Sequence, residues 1–182
     1  MKKIILMLAF VLCMGGVAGA ATLTDTTQFT AAGTIAPEDF VSRGWGDVNK
    51  LDGFLDNVVW KHQFTFDPAA ASLDSATLTL SLRDDNDRYI GELGFGWTES
   101  GTWDFGEVDT GDYAYGINVN YLYDGIFQVK LGSAGGDFYI DKSVLAINYT
   151  PVSNNAVPEP ATMLLFGLGL IGLAGVRRKI QK

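Results

Sequence analysis

Apolar and polar positions alternate along much of the middle of the chain. From Val58 to Phe66, Val58, Trp60, Phe64 and Phe66 fall on one face, with Lys61, Gln63 and Thr65 on the other. Ala76 to Arg83 repeats the pattern more cleanly: Ala76, Leu78, Leu80 and Leu82 point one way, Thr77, Thr79, Ser81 and Arg83 the other. A period of two sustained over such a run predicts a half-buried strand. Tyr113 to Tyr121 alternates again, and Asp124-Gly125 stands between that run and Ile126–Leu131, which predicts a tight hairpin. Gly132 to Gly136 predicts a second turn, followed by strands at Phe138–Ile140 and Val144–Tyr149. With Tyr89–Phe95 and one or two strands before Asp52, the total is about eight short strands and no helical stripe. One-sided burial and many turns predict an all-β fold, an antiparallel β-sandwich of jelly-roll type, over residues 21–150.

The two ends of the chain follow other rules. Lys2 and Lys3, an apolar stretch from Ile4 to Val17, and Ala18-Gly19-Ala20 read as a secretory signal peptide over residues 1–20, cut before Ala21. Acylation of Cys13 would require a small residue before it, and Leu12 is not one. Cys13 is the only cysteine, so the mature chain has no disulfide and relies on its core or on bound metal.

Charge sharpens this division. Residues 21–156 hold 20 acidic and 7 basic side chains, a formal charge of −13 against −8 for the whole chain. Such a field disfavours nucleic acid and anionic lipid headgroups and favours cations.

Residues 151–156 read as a linker, and residues 157–182 as a separate segment. Val157-Pro158-Glu159-Pro160 precedes an uncharged, glycine-rich run from Ala161 to Val176 and then Arg177-Arg178-Lys179. The run has 16 residues, about 24 Å as a helix at roughly 1.5 Å per residue. It is short for a hydrocarbon core of about 30 Å, which predicts a temporary transmembrane helix. The basic end should stay cytoplasmic and leave the β domain in the periplasm.

The order of these three parts resembles the PEP-CTERM tail, also labelled an ice-binding protein C-terminal domain. The sorting residues that match are Val157, Pro158, Glu159, Pro160, Arg177, Arg178 and Lys179. The resemblance implies recognition by an exosortase after signal peptidase has acted, transient anchoring in the inner membrane, and release to the cell surface or outside. It also implies association with exopolysaccharide or biofilm. More loosely, Val59–Phe64, Ser75–Leu82, Asp84–Asp87 and Gly136–Phe138 are similar to other domains that precede such tails, and no activity comes with that likeness.

Candidate chemistry in the middle segment is sparse. Asp84, Asp85 and Asp87, with Glu92 further on, offer carboxylates at short spacing to a calcium ion, and Asp137 or Asp124 would complete the shell. The competing reading is a solvated turn whose Asp and Asn side chains bond their own backbone. His62, the only histidine, falls between Trp60 and Phe64 and reads as a core or edge histidine bonded to backbone. No Ser-His-Asp or histidine-cluster spacing is visible. Glu92, Glu99 and Glu107 are available to a glycosidase, but nothing singles out a pair. Trp97 and Trp103 lie in the turn-rich segment Gly94–Gly106 and fit either a sugar-stacking platform or, more commonly, the sandwich core. The expectation is an exported, non-enzymatic surface or matrix protein without a cofactor other than calcium. The alternative is a secreted module that binds or processes carbohydrate.

Overall fold

A computed structural model describes residues 19–85, 91–101 and 103–152, without the side chain of Trp103. The signal-peptide segment 1–18, Asp87 and everything from Ser153 onward, including the expected anchor, lie outside the described residues. Among the described residues no helix is long and apolar enough to cross a membrane.

Among the described residues, eleven strands form two sheets. They are β1 (Ala21–Thr30), β2 (Gly33–Thr34), β3 (Phe40–Arg43), β4 (Lys50–Leu51), β5 (Asn57–Gln63) and β6 (Ala70–Asp84). Then come β7 (Leu93–Thr98), β8 (Trp103–Glu107), β9 (Gly111–Ile117), β10 (Ile126–Gly135) and β11 (Phe138–Pro151). One sheet runs β2-β1-β11-β6-β9, with β4 also against β11; the other runs β3-β5-β10-β7-β8. Every pairing is antiparallel. The inward residues meet in one core. Leu78, Leu80, Leu82, Ile140, Leu145 and Ile147 come from the first sheet, and Val58, Trp60, Phe127, Val129 and Leu131 from the second. From β5 onward the chain changes sheet at every connection except β7–β8. That alternation makes the sandwich similar to jelly-roll domains.

Three expectations need correction. Asp124-Gly125 does turn the chain, with Gly125 at φ 78°, but it joins no hairpin. β9 pairs with β6, whereas β10 pairs with β5 and β7 in the other sheet. The strand before it also ends early. Asn118 accepts a hydrogen bond on its side chain from the Asn120 amide and caps a 3-10 turn over Val119–Tyr121, which carries the chain across. Second, the stretch expected as a turn at Gly132–Gly136 is strand as far as Gly135. Gly132 is small for a packing reason: a Cβ there would lie 2.2 Å from the Phe95 ring. Third, Phe138–Ile140 and Val144–Tyr149 are one strand. Its register slips between Ile140 and Lys142, so the inward phase moves from Phe138 and Ile140 to Ser143, Leu145 and Ile147. A bulge that adds one residue changes the face of all that follow.

The strand continues one residue into the segment expected as linker, because Pro151 stands opposite Ala70 and the Val152 amide donates to Ala69 O at 2.7 Å.

Candidate functional site: an outward aromatic face and an acidic end

The β7–β8 hairpin turns at Ser100-Gly101, where Gly101 has φ 74° and donates to Thr98 O. On β7, Gly94 and Thr98 are buried, and Gly94 fits tightly beneath Val108 and Phe138. Leu93, Phe95 and Trp97 therefore take the opposite, outward face. Trp97 is 41% exposed. The structure thus takes Trp97 out of the core that is the commoner place for it. Phe105 stands opposite Phe95 on β8 and is 56% exposed; residues directly opposite in an antiparallel pair share a face. Trp103 pairs with Trp97 along the backbone. Lys130, on the neighbouring strand β10, holds its ammonium 6.0 Å from the centre of the Phe95 ring. The result is a row of apolar rings on a rigid sheet, edged by Lys130 and by Gln128 opposite Lys61. Such a surface stacks on the apolar face of a sugar ring, and its polar edge takes hydroxyls.

The acidic candidates gather at the end of the sandwich where β6 stops and β7 begins. Asp84, Asp85 and Glu92 bring one carboxylate oxygen each within 4.8 Å of one another. Glu92 is buried, 6% exposed. Lys50 faces this end, with Nζ 3.6 Å from Asp85 and in closer contact with Asp137. The hydrogen bond from Lys50 to Asp137 raises the lysine above its ordinary range. Asp137 therefore reaches the cluster by way of Lys50. Asp124 stands at the opposite end of the sandwich, at the start of β10, and does not join it. The three carboxylates could hold a hard cation such as calcium, with fewer protein oxygens than the six to eight that ion takes.

Among the glycosidase candidates, Glu99 accepts from the Gln128 amide at 2.7 Å. It sits just beyond the far end of β7 from Glu92, so these two do not form a pair.

What His62 meets is not visible in the alternation pattern. Its Nδ1 lies 2.7 Å from Asp25 Oδ2 on β1 and its Nε2 2.9 Å from Ser143 Oγ on β11. His62 is bonded to side chains and not to backbone, because the bulge in β11 turns Ser143 inward. The order Ser-His-Asp resembles a nucleophile, a base and an orienting acid. However, Ser143 and His62 are both 0% exposed. A nucleophile needs a reacting atom about 3 Å away, and this Ser143 hydroxyl is covered. The three residues tie the sheets together through the core.

Residues 156–179 match the family model described as the PEP-CTERM protein-sorting motif. This chain carries a PEP-CTERM sorting motif. The PEP-CTERM motif implies an exported protein, anchored in the membrane for processing and recognised by an exosortase. It takes in every sorting residue named above from the sequence. The comparison with curated proteins gives no match.

Among solved structures, the chain is similar to a family two carbohydrate esterase from Cellvibrio japonicus, at 8% identity and TM-score 0.43 over 73% of this chain and 36% of that one. It is also similar to the CBM35 from Cellvibrio japonicus Abf62, at 15% identity and TM-score 0.39, over 70% of this chain and 92% of that one. A third is the CBM36-1 domain of a multidomain xylanase from the hindgut metagenome of Trinervitermes trinervoides: 17% identity, TM-score 0.37, 70% and 96% covered. The chain spans about a third of the esterase. Likeness at this level carries no functional argument.

Proposed function

We propose that this is a non-enzymatic surface or matrix protein, sorted by exosortase through its PEP-CTERM motif, whose β domain holds extracellular polysaccharide. The observation that carries the glycan part is the outward row of Trp97, Phe95 and Phe105 on one sheet face. Stacking on rings of this kind needs no bond cleavage, and the Ser143 and His62 side chains are buried away from substrate. The strongly acidic domain disfavours an anionic polymer at this face. The test is co-sedimentation of the purified full-length protein with insoluble neutral polysaccharides. Wild type should go down with the polymer, and the Trp97→Ala, Phe105→Ala double variant should stay in solution. Release of reducing sugar by the wild type would overturn the non-enzymatic reading, and equal sedimentation of both proteins would overturn the role of the face.

A second reading concerns Asp84, Asp85 and Glu92. Three carboxylates within 4.8 Å, one of them buried, repel one another. A structural calcium ion relieves that repulsion and serves a disulfide-free exported domain as a cross-link between β6 and the start of β7.

A further inference from the structure

The end of the sandwich opposite the acidic cluster carries a second concavity, away from the outward aromatic face. It lies between the β5–β6 loop and the crossing from β9 to β10. One hollow, about 320 Å³, is lined by Phe64, Phe66, Tyr123 and Asp124 among others. It is continuous with a second of about 410 Å³ that reaches Gln63. Ligand sites of this order, roughly 300–1,000 Å³, take small molecules or single units of a polymer.

The cleft is held open by the chain around it. Phe64 and Phe66 meet edge to face at 5.6 Å, and Phe66 packs on Tyr149 at 4.9 Å. Opposite them, the Phe64 amide donates to Gly125 O at 2.9 Å. Asp124 Oδ1 accepts from the Ile126 amide at 3.0 Å. Gly125 is needed here twice over: its φ is 78°, and a Cβ would lie 2.6 Å from Phe64 O. Tyr123 stands 63% exposed beside the opening.

Charge selects the occupant. Among the described residues that line the cleft, Asp124 is the one carboxylate, and there is no lysine or arginine. The surrounding domain carries −13. Aromatic rings beside a carboxylate attract a cation doubly, by ring quadrupole and by charge. We infer that this cleft binds a positively charged amino-sugar unit of a partly deacetylated polysaccharide, its ammonium at Asp124 and its ring against Tyr123 and Phe64. The inference rests on the reading of the protein as a glycan binder, and it places a second contact on a different surface from Trp97. Two such contacts on one module hold a single polymer chain more tightly when it reaches both, since the second binds at the effective concentration set by the first.

The test is calorimetric titration of the full-length protein in detergent micelles at physiological salt, with glucosamine oligomers as the probe. Their fully N-acetylated counterparts serve as the neutral comparison. Asp124→Asn keeps an oxygen acceptor for the Ile126 amide while removing the charge. It should weaken glucosamine binding about tenfold or more, as should Tyr123→Ala, with little change for the acetylated oligomer. Asp47→Asn, an equal loss of charge on an exposed loop residue, should leave binding unchanged. Glucosamine oligomers that fail to bind the wild type, that bind Asp124→Asn as tightly as the wild type, or that are weakened as much by Asp47→Asn as by Asp124→Asn, overturn the cleft. Sedimentation with neutral polymer that survives this failure and is lost in Trp97→Ala, Phe105→Ala leaves the outward face standing alone.

Discussion

At the scale of single residues, the chain hides polar groups where its pattern shows only alternation. Asp39 is buried and accepts from the Thr27 hydroxyl at 3.1 Å. Burial raises it above its ordinary value of 3.8, against the lowering effect of Thr27. A carboxyl raised in the folded state binds its proton more tightly there than in the unfolded chain. Its ionised form therefore costs stability at neutral pH, and the cost fades as pH falls through the folded-state value. Asp39→Asn, which keeps an acceptor for Thr27, should raise the melting temperature at pH 7. The gain should shrink as the solution is acidified, a trend that thermal melts across pH would read directly. Ser143→Ala leaves His62 Nε2 buried without its partner. It should cost about 1–3 kcal/mol, a fall of several degrees in melting temperature, with no effect on glycan binding. None of this was legible beforehand, because His62, Asp25 and Ser143 are distant in sequence and meet only through the sheet register.

At the scale of elements, the period-two stretches were legible wherever the register is regular. β6 carries Ala76, Leu78, Leu80 and Leu82 inward as the alternation predicts. Legibility failed at the bulge in β11 and at the Asn118 cap, where local hydrogen bonding overrides the pattern. It failed also at Gly132, whose absent side chain makes room for a ring and marks no turn. Gly132→Val should displace Phe95 and impair both stability and neutral-polymer binding, whereas a conservative change at exposed Val41 should impair neither. The carboxylates Asp84, Asp85 and Glu92 were legible as a group, although Asp124 proved remote. Calcium at several millimolar should raise the melting temperature by several degrees more than magnesium at equal ionic strength. Asp85→Asn with Glu92→Gln should remove the calcium-specific part. Equal stabilisation by both ions in the wild type would show only screening of a −13 domain.

At the scale of the whole molecule, the sandwich and the sorting motif divide the work. The domain presents its outward aromatic face on rigid strands, and the PEP-CTERM motif at 156–179 directs where that face is delivered. Both parts were legible in the sequence, one from alternation and one from a short ordered motif. The aromatic face was not, since Trp97 in a glycine-rich run reads more commonly as core. Delivery and retention can be separated in exosortase-bearing cells by measuring how much protein is recovered with the extracellular polysaccharide fraction. Wild type should be found there. Alanines at Pro158, Glu159 and Pro160 should hold the protein full-length in the inner membrane, while Trp97→Ala with Phe105→Ala should be processed normally and then lost to the medium. Recovery of both variants in the polysaccharide fraction at the wild-type level would contradict the account.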